Sequence, residues 1–213
     1  MKQYKGKFAL GFIYVEAKIM NIDKAIKKQK AKYKRFVVAT CLLFLFLPII
    51  LCISGQINIF FILYLSALEI LILFLLAFKR NYEVLEYKID KNKISITIGF
   101  PEKIIKLPCE KVELIHAEGG GKDMKIILLG KSKLRNRHVK PVDINFLKEN
   151  PYAGFYYGRF KRKNPEMQYF YTIIKTGGYK KYPLLNELYK CCTNLFFTEE
   201  AIAKIKEYRN IIE

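Results

Sequence analysis

Two long apolar stretches dominate the hydropathy pattern of the chain. Residues 36–54 contain no charged side chain, and residues 57–78 contain one, Glu69. As a helix rising about 1.5 Å per residue, each stretch is long enough to cross a hydrocarbon core about 30 Å thick. Only Gly55 and Gln56 separate them. The pattern therefore predicts two antiparallel transmembrane helices joined by a tight turn.

A basic segment with a helical period precedes the first stretch. Four of its uncharged residues recur at spacings of four, three and four positions: Ile22, Ile26, Gln29 and Tyr33. Asn21 suits the N-cap. We expect a basic amphipathic helix over residues 21–35 that either lies on the leaflet surface or continues directly into the first span. Residues 8–19 fit a strand or an interfacial segment, and the pattern does not choose between them.

After Arg80 the period changes from helical to alternating. Apolar and polar residues alternate over 85–90, 94–100, 105–107, 112–116 and 125–129, and turn residues lie between these runs. Two later segments, 167–174 and 194–197, also read as strands. Thr198 suits the N-cap of a final helix with one apolar stripe, formed by Ala201, Ile202, Ile205, Tyr208 and Ile212.

These elements predict a transmembrane α-helical hairpin followed by an α+β domain. The domain would be a bent antiparallel meander, or partial barrel, capped by a C-terminal helix. The predicted division is a basic N-terminal arm over residues 1–35, a hairpin over 36–78 and a cytoplasmic domain over 79–213.

One part of the alternating region resembles the opening of bacterial pleckstrin-homology-like domains. The stretch is YKIDKNKISITIGFPEKIIKLPCEKVELIHAE, residues 87–118, in which Ile105, Leu107, Pro108 and Val112 hold the matching places. AGFYYGRF, residues 153–160, is similar to a later Gly/Tyr-rich segment of that group, whereas residues 180–192 match it poorly. The resemblance implies a pleckstrin-homology-like fold attached to a two-helix hairpin, with no catalytic set. Some proteins of this architecture resemble immunity proteins against secreted peptides.

Charge fixes the predicted orientation of the hairpin. The formal net charge is +19, with basic excess on both sides of the apolar block and no Lys or Arg between the spans. By the positive-inside tendency, both termini lie in the cytoplasm. Basic residues are concentrated on both flanks of the apolar block, from Lys24 onward. The residues that we expect to contact anionic lipid are Lys27, Lys28, Lys30, Lys32, Lys34, Arg35, Lys79 and Arg80.

A second basic region follows at residues 131–163, with ten Lys or Arg against Asp143 and Glu149 and with aromatic residues between them. It predicts either a further surface toward anionic headgroups or a solvated loop. The residues assigned to that surface are Lys131, Lys133, Arg135, Arg137, Arg159, Lys161, Arg162 and Lys163. Single-stranded nucleic acid would use the same residue types, but the membrane spans favour lipid.

Glu69 is the thirteenth of twenty-two residues in the second stretch, too deep to reach the interface easily. One interpretation is a proton or cation relay in an oligomeric channel or transport subunit. The other is an acid that is hydrogen-bonded to the partner helix or to another protomer. Two helices cannot enclose a pathway alone, so either role favours a homo-oligomer formed through the spans.

The sequence contains no arrangement that indicates catalysis, a metal site or a cofactor. Its two histidines, His116 and His138, lack metal-ligand spacing, and Gly130-Lys131-Ser132 lacks the first glycine of a phosphate-binding loop. We expect His116 to be a partly buried residue with a satisfied ring, and Cys191 and Cys192 to be reduced thiols. The expected function is a non-enzymatic binding or scaffold module at the inner leaflet, with a protein or peptide partner and no small-molecule substrate. A channel subunit or an immunity protein remains the alternative.

Overall fold

The computed structural model describes residues 21–55, 58–90, 93–131, 139–192 and 194–209. Several predicted features lie outside these ranges. They are the segment 8–19, Gln56 of the predicted turn, Ile212 of the last apolar stripe, and the basic residues Lys133, Arg135 and Arg137.

The first helix, α1, is continuous from Ile22 to Ser54 and has 33 residues. The side chain of Asn21 accepts a hydrogen bond from the backbone N–H of Lys24 at 2.9 Å and caps its start. Gly55 ends the helix in the left-handed region, with a φ of 66°. At 1.5 Å per residue, α1 is about 50 Å long, which exceeds the roughly 30 Å of a hydrocarbon core. Part of it must therefore project beyond a membrane.

The second helix, α2, covers Ile59–Glu83 and packs against α1. Apart from this contact, the apolar side chains of both helices are largely exposed; Ile53 and Ile59, for example, are 81% and 74% exposed. Both helices are long and apolar enough to cross a membrane. Exposed aliphatic surface of this extent is typical of lipid-facing helices.

A three-stranded antiparallel sheet follows, in the order β1-β2-β3. Leu85 pairs with Ile98 between β1 and β2, and Ile96 pairs with Ile105 between β2 and β3. The predicted alternation in β2 is confirmed, because Ile94, Ile96 and Ile98 are buried. The strands are β1 (Leu85–Asp90), β2 (Lys93–Ile98) and β3 (Lys103–Pro108).

The predicted meander does not continue as one sheet. A 3₁₀ turn, Cys109–Lys111, follows the third strand. The later strands form a separate five-stranded sheet in the order β6-β7-β5-β4-β8. Its pairs are antiparallel except β4 with β8, which is parallel. These strands are β4 (Val112–Glu118), β5 (Lys125–Gly130), β6 (Lys140–Pro141), β7 (Phe170–Ile174) and β8 (Phe196–Phe197).

Four shorter helices cover this second sheet. Of these, α3 and α4 pack on the face that carries Leu114 and Ile127, and the opposite face belongs to the larger core shared with β1–β3, α5, α6 and Ile22. This two-sided cover explains why β4 and β5 are buried along nearly their whole length. The helices are α3 (Ile144–Glu149), α4 (Pro151–Lys163), α5 (Lys181–Cys191) and α6 (Glu199–Arg209).

The C-terminal helix α6 is confirmed, with Ala201 and Ile205 buried. The predicted strand 167–174 is shorter, as β7, and the predicted strand 194–197 is reduced to β8. The Gly/Tyr-rich segment 153–160 lies within helix α4. The structure thus consists of two long apolar helices followed by a mixed region with antiparallel sheets and further helices.

Candidate membrane-surface site

The part of α1 that precedes the apolar stretch is packed against the α+β domain. Ile22 is 1% exposed and belongs to the larger core, and Ile26 packs against that core. Of the two alternatives for residues 21–35, the helix takes the one that continues into the first apolar stretch. Its less polar stripe is covered by the domain and not by a leaflet, while most of its lysines stay exposed.

Gln29 is the centre of the contact between helix and domain. Its amide nitrogen donates to a carboxylate oxygen of Glu83 and, at 3.3 Å, to the carbonyl of Gly177. Its amide oxygen accepts from the backbone N–H of Tyr179 at 3.0 Å. Gln29 is 3% exposed, so this buried amide has partners on both sides. We call this contact of Gln29, Glu83 and residues 177–179 the junction.

Two glycines allow the chain to approach the junction closely. Gly177 and Gly178 have φ angles of 97° and 55°, in the left-handed region. A β-carbon at Gly177 would overlap the side chain of Leu85, and one at Gly178 would lie 2.5 Å from Oε1 of Gln29. The N–H of Gly177 donates to the carbonyl of Tyr82 at 2.8 Å, which ties the loop to the end of α2.

A fully buried lysine lies directly behind the junction. The ammonium of Lys181 donates to the carbonyls of Lys122 and Lys175, at 2.8 and 2.9 Å. Burial lowers its pKa from 10.5 to about 8, against the opposing attraction of Asp123. The carbonyl of Glu83 accepts from Lys180, whose pKa is lowered by burial and by the nearby charge of Lys30.

The predicted lipid-contact residues that flank the two apolar stretches lie on α1 and α2. Arg80 places its guanidinium 4.7 Å from the ring centre of Phe100, and the ammonium of Lys79 is 3.7 Å from Glu83. The other members are exposed on α1: Lys27, Lys28, Lys30, Lys32, Lys34 and Arg35.

The second predicted basic surface lies elsewhere. Gly130 pairs with Val112 and Phe170, at the end of the sheet opposite to the Ile126–Ile174 pair, which leads into the junction loop. Lys131 follows Gly130 and forms an ion pair with Glu113; this hydrogen bond raises the pKa of Lys131. Lys131 therefore does not share the junction's end of the sheet, and contact of this group with lipid stays a prediction.

Four further members of that group lie toward the C-terminal end of α4. Lys161 donates to the carbonyl of Met167 at 2.9 Å, and Arg162 to the carbonyl of Gly158 at 3.4 Å. Arg159 and Lys163 are exposed. These contacts orient two of the four side chains along the domain surface.

Glu69 belongs to the stripe of α2 that α1 partly covers. It is half-buried one turn before the buried Ile72, and its carboxylate has no hydrogen bond or ion pair to any residue in the described ranges. Of the two interpretations, the bond to the partner helix within this chain is therefore not made. Contact with another protomer and the relay role stay predictions.

His116 is more deeply buried than the sequence predicts, at 1% exposure. Its Nδ1 lies 3.0 Å from the hydroxyl of Thr198, which also accepts from the N–H of Ala201 at 3.3 Å and caps α6. Its Nε2 has no partner among the described residues. Burial lowers the pKa of His116 more than the opposing charge of Glu200 raises it.

The expectation of two adjacent reduced thiols is wrong for Cys192, which is bonded to Cys109. The turn between β3 and β4 brings Cys109 against the end of α5, with a Cα–Cα distance of 5.3 Å. The two residues are eighty-three positions apart, so no local cysteine spacing predicts this disulfide. Cys191 is free, as are Cys41 and Cys52 in α1.

Within the described ranges, no cluster of three or more His, Cys, Asp or Glu side chains could hold a metal ion. The features that stand out are therefore the junction and the basic residues around it. Comparison of the chain with protein-family models, with characterised proteins and with solved structures gave no match.

Proposed function

We propose that this chain is a non-enzymatic membrane protein that holds a binding or scaffold module at the anionic inner leaflet. In this proposal α1 and α2 form the transmembrane hairpin, and both termini are cytoplasmic. The module is the α+β domain, and its ligand is a protein or peptide. Basic residues on α1 and α2 contact lipid headgroups.

The observation that carries the proposal is the continuity of α1 from the apolar stretch into the core of the domain. Ile22 is buried in that core, and Gln29 is hydrogen-bonded to α2 and to the junction loop. A domain on a flexible linker would show neither contact. The helix, the junction and the domain are therefore joined by buried contacts, and in this proposal these contacts hold the domain at a fixed distance from the membrane.

The charge distribution supports the inner leaflet. Gln29 lies seven residues before Phe36, or about 10 Å along the helix axis. The six basic residues of α1 in the predicted contact set lie within this interval or next to it. Each contributes roughly 1 kcal/mol of binding free energy near an anionic surface. The same residues disfavour translocation of this end of the helix.

The pleckstrin-homology-like assignment belongs to the proposal. Its support is the two sheets, whose pairs are antiparallel except β4–β8, the strand break after Pro108 and the C-terminal amphipathic helix. The parallel β4–β8 pair and the helices α3, α4 and α5 depart from the predicted meander. We treat them as additions to that plan.

One observation favours the opposite side of the membrane. Disulfides such as Cys109–Cys192 persist mainly in oxidising compartments. The charge asymmetry involves many residues on both flanks, whereas the cysteine pair is a single contact, and we give the charges more weight.

The test measures how firmly the domain is held. Spin labels carried by non-natural amino acids at positions 54 and 168 of the full chain, reconstituted in nanodiscs, report the distance from the hairpin turn to the domain. We expect one narrow distance distribution, which Gln29→Leu broadens. A broad distribution in the unmodified protein would refute the proposal of a module held at a fixed height.

A further inference from the structure

A cleft of about 540 Å³ opens between the projecting part of α1 and the domain. Lys24, Lys28 and Lys32 line it from the helix, and Lys122 and Tyr179 line it from the domain, with Gln29 between them. The three helix lysines recur every four residues, so they lie on one face. Lys24 and Lys122 are not in the predicted lipid-contact set.

The cleft is cationic and uncompensated. No Asp or Glu lines it, and within the described part of the chain none of its four ammonium groups has an ion pair or hydrogen bond. The two nearest acids in sequence are engaged or turned elsewhere: Asp123 accepts from the hydroxyl of Tyr82 at 3.3 Å, and Asp23 is outside the lining. Like charges on one helix face repel, and an anion in the cleft would relieve that repulsion.

The domain wall of the cleft is built and held from beneath. Lys122 lies in the 3₁₀ turn Gly121–Asp123. The carbonyl of Lys122 accepts from the buried ammonium of Lys181, and the N–H of Gly121 donates to the hydroxyl of Tyr182 at 3.0 Å. A surface lysine on a solvated loop has no such support. The turn is thus positioned before any ligand arrives, which lowers the entropic cost of binding.

The depth of the cleft indicates what it can bind. Counted from Phe36, Lys32 lies about 6 Å, Lys28 about 12 Å and Lys24 about 18 Å along the helix axis. A headgroup layer is roughly 5–8 Å thick. The cleft therefore begins at headgroup level and extends beyond it. Its cations are all lysines, compact point charges suited to phosphate oxygens, and it lacks the planar fork of arginine.

We propose that this cleft binds a phosphate-bearing anion, with Lys24, Lys28, Lys32 and Lys122 converging on the phosphate. The anion is either the headgroup of an anionic phospholipid or a soluble phosphate compound. The lipid source rests on the proposed function, because it needs the hairpin in the membrane; the soluble source does not.

The experiment uses the full chain in nanodiscs and measures the acetylation rate of each lysine by mass spectrometry. One arm compares neutral phosphatidylcholine discs with discs containing phosphatidic acid. The other adds inorganic pyrophosphate to the neutral discs. Lys24 and Lys122 are the reporters because they line the cleft but lie outside the predicted lipid-contact set. Lys206, exposed on α6 and outside both the cleft and that set, is the internal control.

We expect at least fivefold slower acetylation of Lys24 and Lys122 in one arm, with the rate at Lys206 changed less than twofold. Slowing by phosphatidic acid alone identifies the lipid source, and slowing by pyrophosphate identifies the soluble source. Uniform slowing of all three lysines would show general charge attraction and overturn the site. No slowing in either arm would also overturn it.

A pair of variants of equal charge completes the test. Lys28→Gln/Lys122→Gln should weaken binding of the anion that slowed acetylation. We expect the anion concentration that protects Lys24 to rise at least tenfold. Lys148→Gln/Lys206→Gln removes the same charge outside the cleft and outside the predicted lipid-contact set, and it should change this concentration less than twofold. Equal weakening by both pairs would contradict a discrete site. If the hairpin proves not to span a membrane, the proposed function fails, but the pyrophosphate arm still decides the site.

Discussion

The side chain of Gln29 donates to the carboxylate of Glu83, fifty-four positions later in the chain. This bond joins the two long helices beyond the ends of their apolar stretches, about 10 Å from Phe36 along α1. The same amide also bonds residues 177 and 179, so one side chain connects both helices to the domain. This single buried polar group thus adds to the contacts of Ile22 with the core and of Gly177 with Tyr82 that hold the domain against the helices.

Gln29→Leu should destabilise the full chain by about 1–3 kcal/mol. The substitution removes the hydrogen bonds of Gln29 to the carboxylate of Glu83 and to the carbonyl of Gly177, and the loss of buried hydrogen bonds costs about this much. Thermal unfolding in nanodiscs measures the loss, and hydrogen exchange should accelerate at Tyr179. Gln168→Leu, at an exposed position, is the control and should unfold like the unmodified protein. An unchanged midpoint in Gln29→Leu would show that the junction contributes nothing.

Gly177→Ala should be more damaging than a typical glycine substitution. The left-handed backbone costs an alanine about 1–2 kcal/mol, and its methyl group would overlap Leu85. The matched control is Gly158→Ala in helix α4, where a β-carbon meets no atom within 4 Å. There alanine should stabilise by about 0.5–1 kcal/mol. Equal midpoints for the two variants would argue against the close approach at the junction.

Lys181 predicts that stability rises with pH in the alkaline range. Its pKa is about 8 in the folded chain and 10.5 when unfolded. Between these values the unfolded state binds more protons, so raising the pH stabilises the fold. We expect a gain of roughly 2 kcal/mol between about pH 8 and about pH 9.5. Above this range the effect reverses, because burial raises the pKa of Tyr182 above 10.0 and the unfolded tyrosine ionises first.

Denaturant unfolding of the full chain at several pH values measures this slope. Lys181→Met should remove most of it, and Lys206→Met, at an exposed position of α6, should retain it. A flat profile in the unmodified protein would mean that burial does not lower the pKa of Lys181.

His116 predicts a loss of stability in mild acid. Its pKa is lowered from 6.5 in the folded chain, so the contribution of the neutral ring is complete above pH 6.5. It is lost as the pH falls through the lower folded value, because only the unfolded ring is then readily protonated. His116→Gln should reduce this slope while keeping a polar partner for Thr198. If the variant and the unmodified protein lose stability in parallel below pH 6.5, His116 is not the group responsible.

The cap at Thr198 can be tested separately. Thr198→Val removes the hydroxyl that accepts from Ala201 and meets His116, and it should cost about 1–2 kcal/mol. The unfolding midpoint at pH 8 is the appropriate measurement, since His116 is neutral there. A loss below about 0.3 kcal/mol would show that α6 does not need this cap.

The elements that depend on neighbouring residues could be predicted from the sequence. The two long helices follow from uninterrupted apolar runs, and β2 follows from strict alternation, since one face is buried and the other is not. Thr198 and the stripe of α6 follow from capping and period. These signals are local, and the tertiary structure does not override them.

The elements that depend on distant contacts could not be predicted in this way. The sequence indicated only that Gln29 lies on one face of a helix. Its hydrogen bonds could not be predicted, because its partners lie 54 to 150 positions away. Cys109 and Cys192 were likewise joined only by the fold. Helix α4 had usable signals that the Gly/Tyr pattern obscured: Pro151 at its first turn and three basic residues in its last.

The most direct test of the account is the side of the membrane on which the domain lies. A background of Cys41→Ala, Cys52→Ala and Cys191→Ala leaves the Cys109–Cys192 bond in place, and Ser54→Cys or Gln168→Cys then adds one reactive thiol. In right-side-out vesicles, an impermeant maleimide should label position 54 and not position 168, which should react only after permeabilisation. Labelling of position 168 in intact vesicles would contradict the account and place the domain on the oxidising side.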